Sequence, residues 1–412
     1  MKIAIAKERR PHERRVAATP DTIKKYLQWG FDVAVEAGAG EAASISDEAY
    51  RDAGASVSGS RAEVFANADI VLKVQRPLTA SAGEDDLSDI PEGAYLIALL
   101  NPYGDREGVD DLAKSNIVAF SMEMLPRISR AQSMDVLSSQ SNLTGYKAVI
   151  DGAANYGKAM PMLMTAAGRI NPAKVFVMGA GVAGLQAIAT ARRLGAIVSA
   201  TDVRAASKQE VESLGASFIM VETDEGETGQ TAGGYAKEMS EDYKRRQAEL
   251  TADHIKDQDI VITTALIPGR PAPTLVNDDM IASMKPGAVI VDIAAEQGGN
   301  VTQTKPGEIH VTENGVKILA EFNLPSRLAT DSSALYSRNL MNFVELLVNA
   351  EDKKIEIDWE DEIIVGTCLT KDGKVVHPAL LPEDEKAAEP ATSEDAAAEN
   401  GASDSDSPEK GD

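Results

Sequence analysis

The chain has 412 residues, 43% of them hydrophobic but only 4% aromatic, and a formal net charge of −24. That length suggests two or three domains with real cores, and the charge argues against nucleic acid or an anionic membrane as a direct partner. The single cysteine, Cys368, rules out an intramolecular disulfide and a cysteine-rich metal centre.

Cys368 reads as a small buried residue of a late strand. No His/Cys/Asp cluster has ligand spacing, so no metal is expected. Met1 to Ala6 is too short for a signal segment before the charged run Lys7 to Arg10. No apolar run approaches the ~20 residues that span a bilayer, which leads us to expect a soluble chain without membrane insertion.

In chain order, residues 1 to about 135 alternate strand and helix signals. Lys2 to Ala6 reads as a strand, Pro20 to Trp29 as a helix begun by Pro20-Asp21, and Phe31 to Glu36 as a second strand. Asp69 to Val74, Ala94 to Leu100 and Ile117 to Phe120 are further apolar runs. This alternation is α/β grammar and implies a parallel sheet. Gly38-Ala39-Gly40 lacks a third glycine and a following acid at the right distance, so it reads as a turn.

Lys174 to Met178 is a short buried strand. It is followed by Gly179-Ala180-Gly181-Val182-Ala183-Gly184, which has the pattern G-x-G-x-x-G, and by an Ala-rich helix from Leu185 to Leu194. A second strand, Ala196 to Thr201, ends on Asp202. Each part suits a dinucleotide. Gly179 allows the tight turn, Gly181 lets backbone approach a pyrophosphate, and Gly184 lets helix pack against strand. The helix N-terminus turns free N–H groups and partial positive charge toward the phosphates. Asp202 suits the adenosine ribose hydroxyls and repels a 2′-phosphate, which favours NAD over NADP. Arg204 is the residue that argues the other way, since an arginine here can serve NADP.

Beyond Asp202 come a helix (Ser207 to Leu214) and a strand (Ser217 to Val221). A polar, glycine-rich segment from Glu222 to Ser240 then carries Gly234 and Tyr235. A segment of this length is either a mobile lid over the nucleotide or an unstructured insertion. Strands resume at Asp259 to Thr263 and Ala288 to Ile293. A long amphipathic helix is expected over Ser332 to Ala350, returning the chain to the first domain. Ile363 to Val376 reads as a hairpin about Lys371-Asp372-Gly373-Lys374. Between Ala379 and Asp412 fall eleven acids and two lysines, a composition that predicts a disordered tail. That tail is either a solvated spacer or a docking segment.

The segment Arg127 to Asn142, with Gly145-Tyr146-Lys147-Ala148-Val149 after it, resembles the linker of the alanine dehydrogenase and proton-translocating transhydrogenase superfamily. Arg127, Gln132 and Asp135 resemble the loop of its transhydrogenase branch. Arg15-Val16-Ala17-Ala18-Thr19-Pro20, Gly234-Tyr235-Ala236, Thr264-Ala265-Leu266-Ile267-Pro268-Gly269 and Asp292-Ile293-Ala294 also fit that branch, so the match runs from Met1 to roughly Ala350. The chain is similar to the form in which the NAD(H)-binding part is a separate subunit.

The resemblance implies two Rossmann-like, doubly wound parallel-sheet domains with a cleft between them, joined by long linking helices. The expected division is residues 1–137 plus 329–378, residues 138–328, and the tail 379–412. It implies NAD(H) bound by this chain and NADP(H) bound by a partner subunit. Further implied partners are membrane-spanning subunits that translocate protons and a second copy of the chain. The expected location is the inner face of the bacterial cytoplasmic membrane, reached through those partners.

Residue by residue, the resemblance implies that Asp202, Val203 and Arg204 hold the adenosine ribose. Gly179, Ala180, Gly181, Val182 and Gly184 present backbone to the pyrophosphate. Arg127, Asp135 and Ser138, with Ile128, Ser129, Val136, Leu137 and Ser139 around them, orient the nicotinamide end. Gln132 reaches toward the partner's nucleotide. Gly234, Tyr235 and Gln247 belong to the lid and its following helix, and Thr264, Ala265 and Leu266 line the adenine side. The catalytic residues implied are Arg127, Gln132 and Asp135.

In that branch hydride passes directly between the C4 atoms of two nicotinamide rings. No proton leaves a substrate, so the site needs no general acid or base; it needs two rings held together with little freedom and little water. The alternative is an alanine dehydrogenase-like amino-acid oxidoreductase, whose chemistry wants a titratable base such as histidine. The four histidines are His12, His254, His310 and His377, so Ala94 to Leu100, where the dehydrogenases carry theirs, has none. Arg15 and Lys73 do persist where those enzymes hold substrate; Lys73 reads as a structural remnant. A third reading is a non-enzymatic NAD-sensing module.

Overall fold

The computed structural model describes residues 1–80, 83, 85–221, 240–266 and 269–381. Residues 222–239, which hold Gly234, Tyr235 and nearly all of the expected lid, lie outside the described residues, as does the tail from residue 382.

The first α/β unit runs β1 (Lys2–Ile5), α1 (Pro20–Gln28), β2 (Asp32–Glu36), α2 (Asp47–Asp52), β3 (Ser56–Ser58) and α3 (Arg61–Phe65). It continues through β4 (Ile70–Gln75), β5 (Tyr95–Leu99), α4 (Arg106–Lys114) and β6 (Val118–Ser121). Local chemistry starts the helices. Thr19 and Thr22 form a capping box on either side of Pro20, and Ser46, Ser60 and Asp105 each accept a backbone N–H at their helix starts. β1 and β4 are buried almost throughout because helices cover both faces of the sheet, which is why they read as continuous apolar runs.

Asp135 closes a 3₁₀ turn (Ser129–Met134) and caps α5 (Val136–Asn155), the helix that carries the chain out of the first unit. A hairpin of β7 (Leu163–Thr165) and β8 (Gly168–Ile170) follows, exposed at all six positions. The second unit then runs β9 (Lys174–Met178), α6 (Val182–Arg193), β10 (Ile197–Thr201), α7 (Ser207–Ser213) and β11 (Ser217–Phe218). It resumes with α8 (Glu241–Ile255), β12 (Ile260–Thr263), α9 (Asp278–Ser283), β13 (Val289–Asp292), β14 (Ile309–Val311) and β15 (Lys317–Leu319). α10 (Ala329–Val344) returns the chain to the first unit. It is followed by β16 (Val348–Asn349), β17 (Lys354–Ile355), α11 (Glu362–Thr367), β18 (Cys368–Lys371) and β19 (Lys374–Val375).

The first sheet has the order β19-β18-β6-β5-β4-β1-β2-β3 and the second β11-β10-β9-β12-β13-β15-β14. Both are parallel except at one end, where β18 and β19 in the first and β14 in the second run antiparallel. Each winds outward from its first strand and then returns to that strand's other side, the doubly wound pattern expected from the sequence. In the second sheet the reversal falls between β10 and β12, on either side of β9. An open sheet of this kind leaves its ligand crevice there.

Three local expectations are corrected. The stretch Ile363 to Val376 is half helix: Asp361 caps α11, and only Cys368 to Val375 forms the hairpin. The helix expected to reach Ala350 ends at Val344, because Leu347 is fully buried and Val348 pairs with Ile355. The strand expected over Ser217 to Val221 pairs only at Ser217 and Phe218, on the sheet edge. Among the described residues no helix is long and apolar enough to cross a membrane.

Candidate functional site

The glycine turn sits at the end of β9 and is held by its neighbours. Gly179 has φ +107°, and its N–H donates to the Thr201 carbonyl at 2.8 Å. A Cβ on Gly184 would lie 1.8 Å from the Gly179 carbonyl oxygen, so packing alone requires that glycine. Gly181 is different. Its backbone is extended, and among the described residues a Cβ added there meets nothing within 4 Å. Neither its conformation nor packing against the described residues requires this glycine.

α6 begins at Gly181, and among the described residues no side chain caps its first N–H groups. A helix start with uncapped donors, fronted by open space, fits the pyrophosphate of a dinucleotide. α5 brings the linker to this point. A Cβ on Gly145 would lie 2.0 Å from the Ala183 carbonyl oxygen, so α5 and α6 pack backbone to backbone through that glycine.

Asp202 follows β10 directly. Its Oδ2 accepts the Ala180 N–H at 2.7 Å and Arg204 Nη2 at 2.9 Å; its Oδ1 accepts the Arg204 N–H at 2.8 Å and Nε at 2.9 Å. Burial pushes this carboxyl up, but the bonds from Arg204 and from the Ala180 and Arg204 amides override it and hold the group below the usual carboxylate range. The acid is therefore ionised and already carries a full set of donors. A ribose diol must share or replace the Arg204 contacts. Val203 is half-buried between the two.

In the loop after β12, Thr264 Oγ1 donates toward the Met178 and Gly179 carbonyls at 3.3 and 3.2 Å. Ala265 exchanges two hydrogen bonds with the Asn300 amide, at 3.1 Å and 2.9 Å, while Leu266 is exposed. Asn300 is itself fully buried and donates its backbone N–H to Asp292 Oδ2 at 2.9 Å. Sequence reasoning did not single out Asn300. The signal was the Gly298-Gly299 pair before it, whose φ values of +94° and +85° turn the chain back under the Thr264 loop. Gln247 on α8 donates to Thr201 Oγ1 at 2.9 Å and accepts the Val221 N–H at 3.3 Å, which seats this helix on β10.

The linker loop presents its polar side chains outward. Ala131 and Met134 are buried in the first core, whereas Arg127, Ser129, Gln132 and Leu137 are exposed. Ile128 is half-buried and Val136 fully buried, so these two support the loop. Asp135 uses its carboxylate locally: Oδ1 accepts the Ser138 N–H at 2.9 Å and Oδ2 the Ser138 hydroxyl at 2.5 Å. Ser139 Oγ bonds Asn339 Oδ1 at 2.7 Å, which makes it a supporting residue as well.

Arg15 and Lys73 are placed very differently. Lys73 is 1% exposed, with Asp86 Oδ2 at 3.2 Å and Glu8 Oε2 at 3.4 Å. Arg15 binds both oxygens of Glu13, at 2.8 and 2.7 Å, and Gln140 Oε1 at 2.9 Å. Burial pushes the Glu13 carboxyl up, but Arg15 and Gln75 more than reverse this and bring it down to about 2. Burial raises the Glu8 carboxyl against the pull of Lys73. The four histidines lie elsewhere: His12 packs edge-on to Phe322, His254 against Phe176, His310 is in β14 and His377 accepts the Ala379 N–H. Ala94 to Leu100, which spans β5, offers only apolar side chains and Tyr95. Among the described residues no group of three His, Cys, Asp or Glu is placed to hold a metal.

Two family profiles cover nearly the whole described chain: "Alanine dehydrogenase/PNT, N-terminal domain" over residues 4–144 and "Alanine dehydrogenase/PNT, C-terminal domain" over residues 148–378. The chain belongs to the alanine dehydrogenase/PNT family. Within that family it is 54% identical over 380 residues to the first part of the NAD(P) transhydrogenase subunit alpha of Rhodospirillum rubrum, covering 92% of this chain and 99% of the relative. It is 45% identical to "NAD(P) transhydrogenase subunit alpha" of Haemophilus influenzae, covering 92% of this chain and 73% of the relative. A solved transhydrogenase from Sinorhizobium meliloti superposes with a TM-score of 0.82 at 49% identity, over 91% of this chain and all of that one.

Family members named alanine dehydrogenase stand further off. That of Mycobacterium tuberculosis is 31% identical over 74% of this chain and 76% of its own length. A solved L-alanine dehydrogenase at 24% identity (TM-score 0.75, covering 92% of this chain and 98% of that one) shows a shared fold. The two-domain α/β architecture expected from the sequence is the architecture found.

Proposed function

We propose that this chain is the NAD(H)-binding component of a proton-translocating NAD(P) transhydrogenase, working with an NADP(H)-binding partner and membrane-spanning subunits. The observation that carries this reading is the open, uncapped α6 start at Gly181 beside an ionised Asp202, in a chain more similar to transhydrogenase alpha subunits than to alanine dehydrogenases. When bound, the nicotinamide supplies the C4 position that gives or takes the hydride.

The chain's own residues would do the holding. The Gly179–Gly184 turn presents backbone donors to the pyrophosphate. Asp202, Val203 and Arg204 meet the adenosine ribose, and Thr264, Ala265 and Leu266 flank the adenine. Arg127, Asp135 and Ser138 orient the nicotinamide end, and Gln132 faces the partner's nucleotide. None of these groups needs to move a proton, and exposed polar side chains on a rigid loop suit a site completed by a second protein. Gly234 and Tyr235 remain within the same proposal as lid residues, with Gln247 at the base of their following helix.

The division at residues 137/138 and 328/329 belongs to this reading and is supported by the two sheets, whose strands fall on either side of it. The homodimer is supported by the β7–β8 hairpin, where Met162, Leu163, Met164 and Ile170 are exposed on an arm whose residues are all exposed. Apolar side chains so placed suit a second copy. Attachment to the inner face of the bacterial membrane would come through the spanning subunits.

Arg15 and Lys73 do not favour amino-acid oxidation, since both cations are already paired with buried carboxylates. The test is a two-component assay. The purified chain, NADH and an NADP(H)-binding partner should reduce an NADP analogue, while L-alanine and NAD with the chain alone should yield no NADH. Lack of transfer with a competent partner, or a robust alanine-dependent rate, overturns the proposal.

A further inference from the structure

The loop that carries Gln132 is held from behind by a helix remote from it in sequence. Asn339 on α10 donates its Nδ2 to the Ser133 carbonyl at 2.8 Å and accepts the Ser139 hydroxyl on Oδ1 at 2.7 Å. Asn342, one helical turn on, donates to the same Ser133 carbonyl at 3.0 Å. A carbonyl can only accept and the amide nitrogen can only donate, so these contacts fix the orientation of both amides. Asn339 is 8% exposed. Asparagine is a poor residue for a helix interior and costly to bury unless its bonds are made. Two of them three residues apart, both spent on one loop carbonyl, need a reason.

Ser133 is the residue after Gln132. The turn's other anchors are Ala131 and Met134 in the first core, which set its depth, and the long backbone bond from the Asp135 N–H to the Gln132 carbonyl at 3.3 Å, which leaves the rotation of the exposed peptide after Ser133 to a further hold. The Ser133 carbonyl sets that rotation, and with it the direction of the Gln132 side chain. The same amide reaches Ser139 in the first turn of α5, the helix that Asp135 caps. Behind it the network continues inward: Gln140 Nε2 donates to Ser139 Oγ at 3.3 Å and Gln140 Oε1 accepts Arg15 Nη1 at 2.9 Å. Arg15 in turn is locked on Glu13. A part-buried hydrogen-bonded path thus runs from the charged cluster of the first domain to the loop.

We infer that Asn339, with Asn342 beside it, is a positioning residue for hydride transfer, acting through the Ser133 carbonyl on Gln132. The inference rests on the function proposed above. Asn339→Asp keeps the acceptor for Ser139 but removes the donor to Ser133. In single-turnover transfer with an NADP(H)-binding partner, this variant of the full chain should be slower by about tenfold to a hundredfold, the scale of a misplacement near 1 Å. Its NADH dissociation constant should stay within about twofold, because the anchoring turn at Gly179–Gly184 is untouched. Asn342→Asp, at a half-buried position that threatens folding less, should be slower by about threefold, the worth of one hydrogen bond with a remaining partner.

A support that acts through Gln132 is redundant once Gln132 is shortened. Asn339→Asp combined with Gln132→Asn should therefore be no slower than Gln132→Asn alone. Multiplicative rates, an NADH affinity that falls as far as the rate, or wild-type rates in both asparagine variants would overturn the positioning role. Absence of transfer by the unsubstituted chain would overturn the functional proposal itself.

Discussion

The first domain and the second each hold a polar cluster that a sequence reader would mark as a site, and the structure treats them in opposite ways. Around Lys73 the charges are buried and matched to one another: Lys73 with Glu8 and Asp86, Arg61 with Asp86, Arg15 with Glu13. At the start of α6 the donors belong to backbone, and among the described residues no side chain caps them. The charged cluster is complete without a ligand, and the turn is not. A binding site in this fold is marked by polarity left open beside free space, and charge alone is a poor guide to it.

The sharpest way to break that contrast is to remove Lys73. Lys73→Met should cost about 3 kcal/mol of stability, near the lower limit for breaking a buried ion pair, since Asp86 keeps Arg61. Denaturant unfolding should register that loss while NADH affinity stays unchanged; a parallel fall in affinity would make the cluster part of the site. The same cluster predicts an acid limb. Glu13 is held at about 2 in the folded chain against an ordinary value of 4.5. A depressed carboxyl contributes stability above its unfolded value and loses it as pH falls through the folded one. Stability should therefore not fall through Glu13 from neutral pH to about 5 and should decline between about 4.5 and 2, and Glu13→Gln should flatten that decline.

The next test acts on the turn. Gly181→Ala places a methyl where the described residues have no atom within 4 Å. The melting temperature should be unchanged, yet NADH affinity should fall by about tenfold to a hundredfold, or about 1.4–2.7 kcal/mol, as measured by fluorescence titration. Unchanged affinity would remove the pyrophosphate from this position. Gly184→Ala cannot replace this test, because its Cβ would collide with the Gly179 carbonyl and disturb the strand–helix packing directly.

The sequence made the fold legible where periodicity and glycine chemistry agree. The strands around Gly179 and Asp202 lie within a residue or two of the expected bounds, as do β1, β2, β4, β5 and β6 of the first sheet, because buried parallel strands are unbroken apolar runs. Short elements escaped. β14 and β15 have three residues each, and the β7–β8 hairpin is exposed throughout, so no alternation of apolar and polar residues marks it.

The hairpin expected from Ile363 failed in its first half because Asp361 caps a helix there, a signal that six apolar-leaning residues masked. Within the site, Asp202 and the glycines followed from spacing. Asn300 and Asn339 did not, because each acts on loop backbone distant in sequence, 35 residues away in one case and 206 in the other. A contact of that kind leaves no local pattern.

The smallest effect separates two roles for the acid–arginine pair. Asp202 holds Arg204 through both carboxylate oxygens, so the guanidinium is not available to a 2′-phosphate while that carboxylate remains. Asp202→Asn removes the charge that repels the phosphate and weakens the hold on Arg204. NADH affinity should fall by about tenfold, or about 1.4 kcal/mol, and NADPH affinity should rise, so that the preference between them narrows. Arg204→Ala should leave NADH affinity within about threefold, since Asp202 keeps the Ala180 N–H and gains room for the ribose. If instead Arg204→Ala lost affinity and Asp202→Asn did not, the arginine would be the ribose contact and the carboxylate only its support. The order of the two effects assigns the discrimination to one side chain.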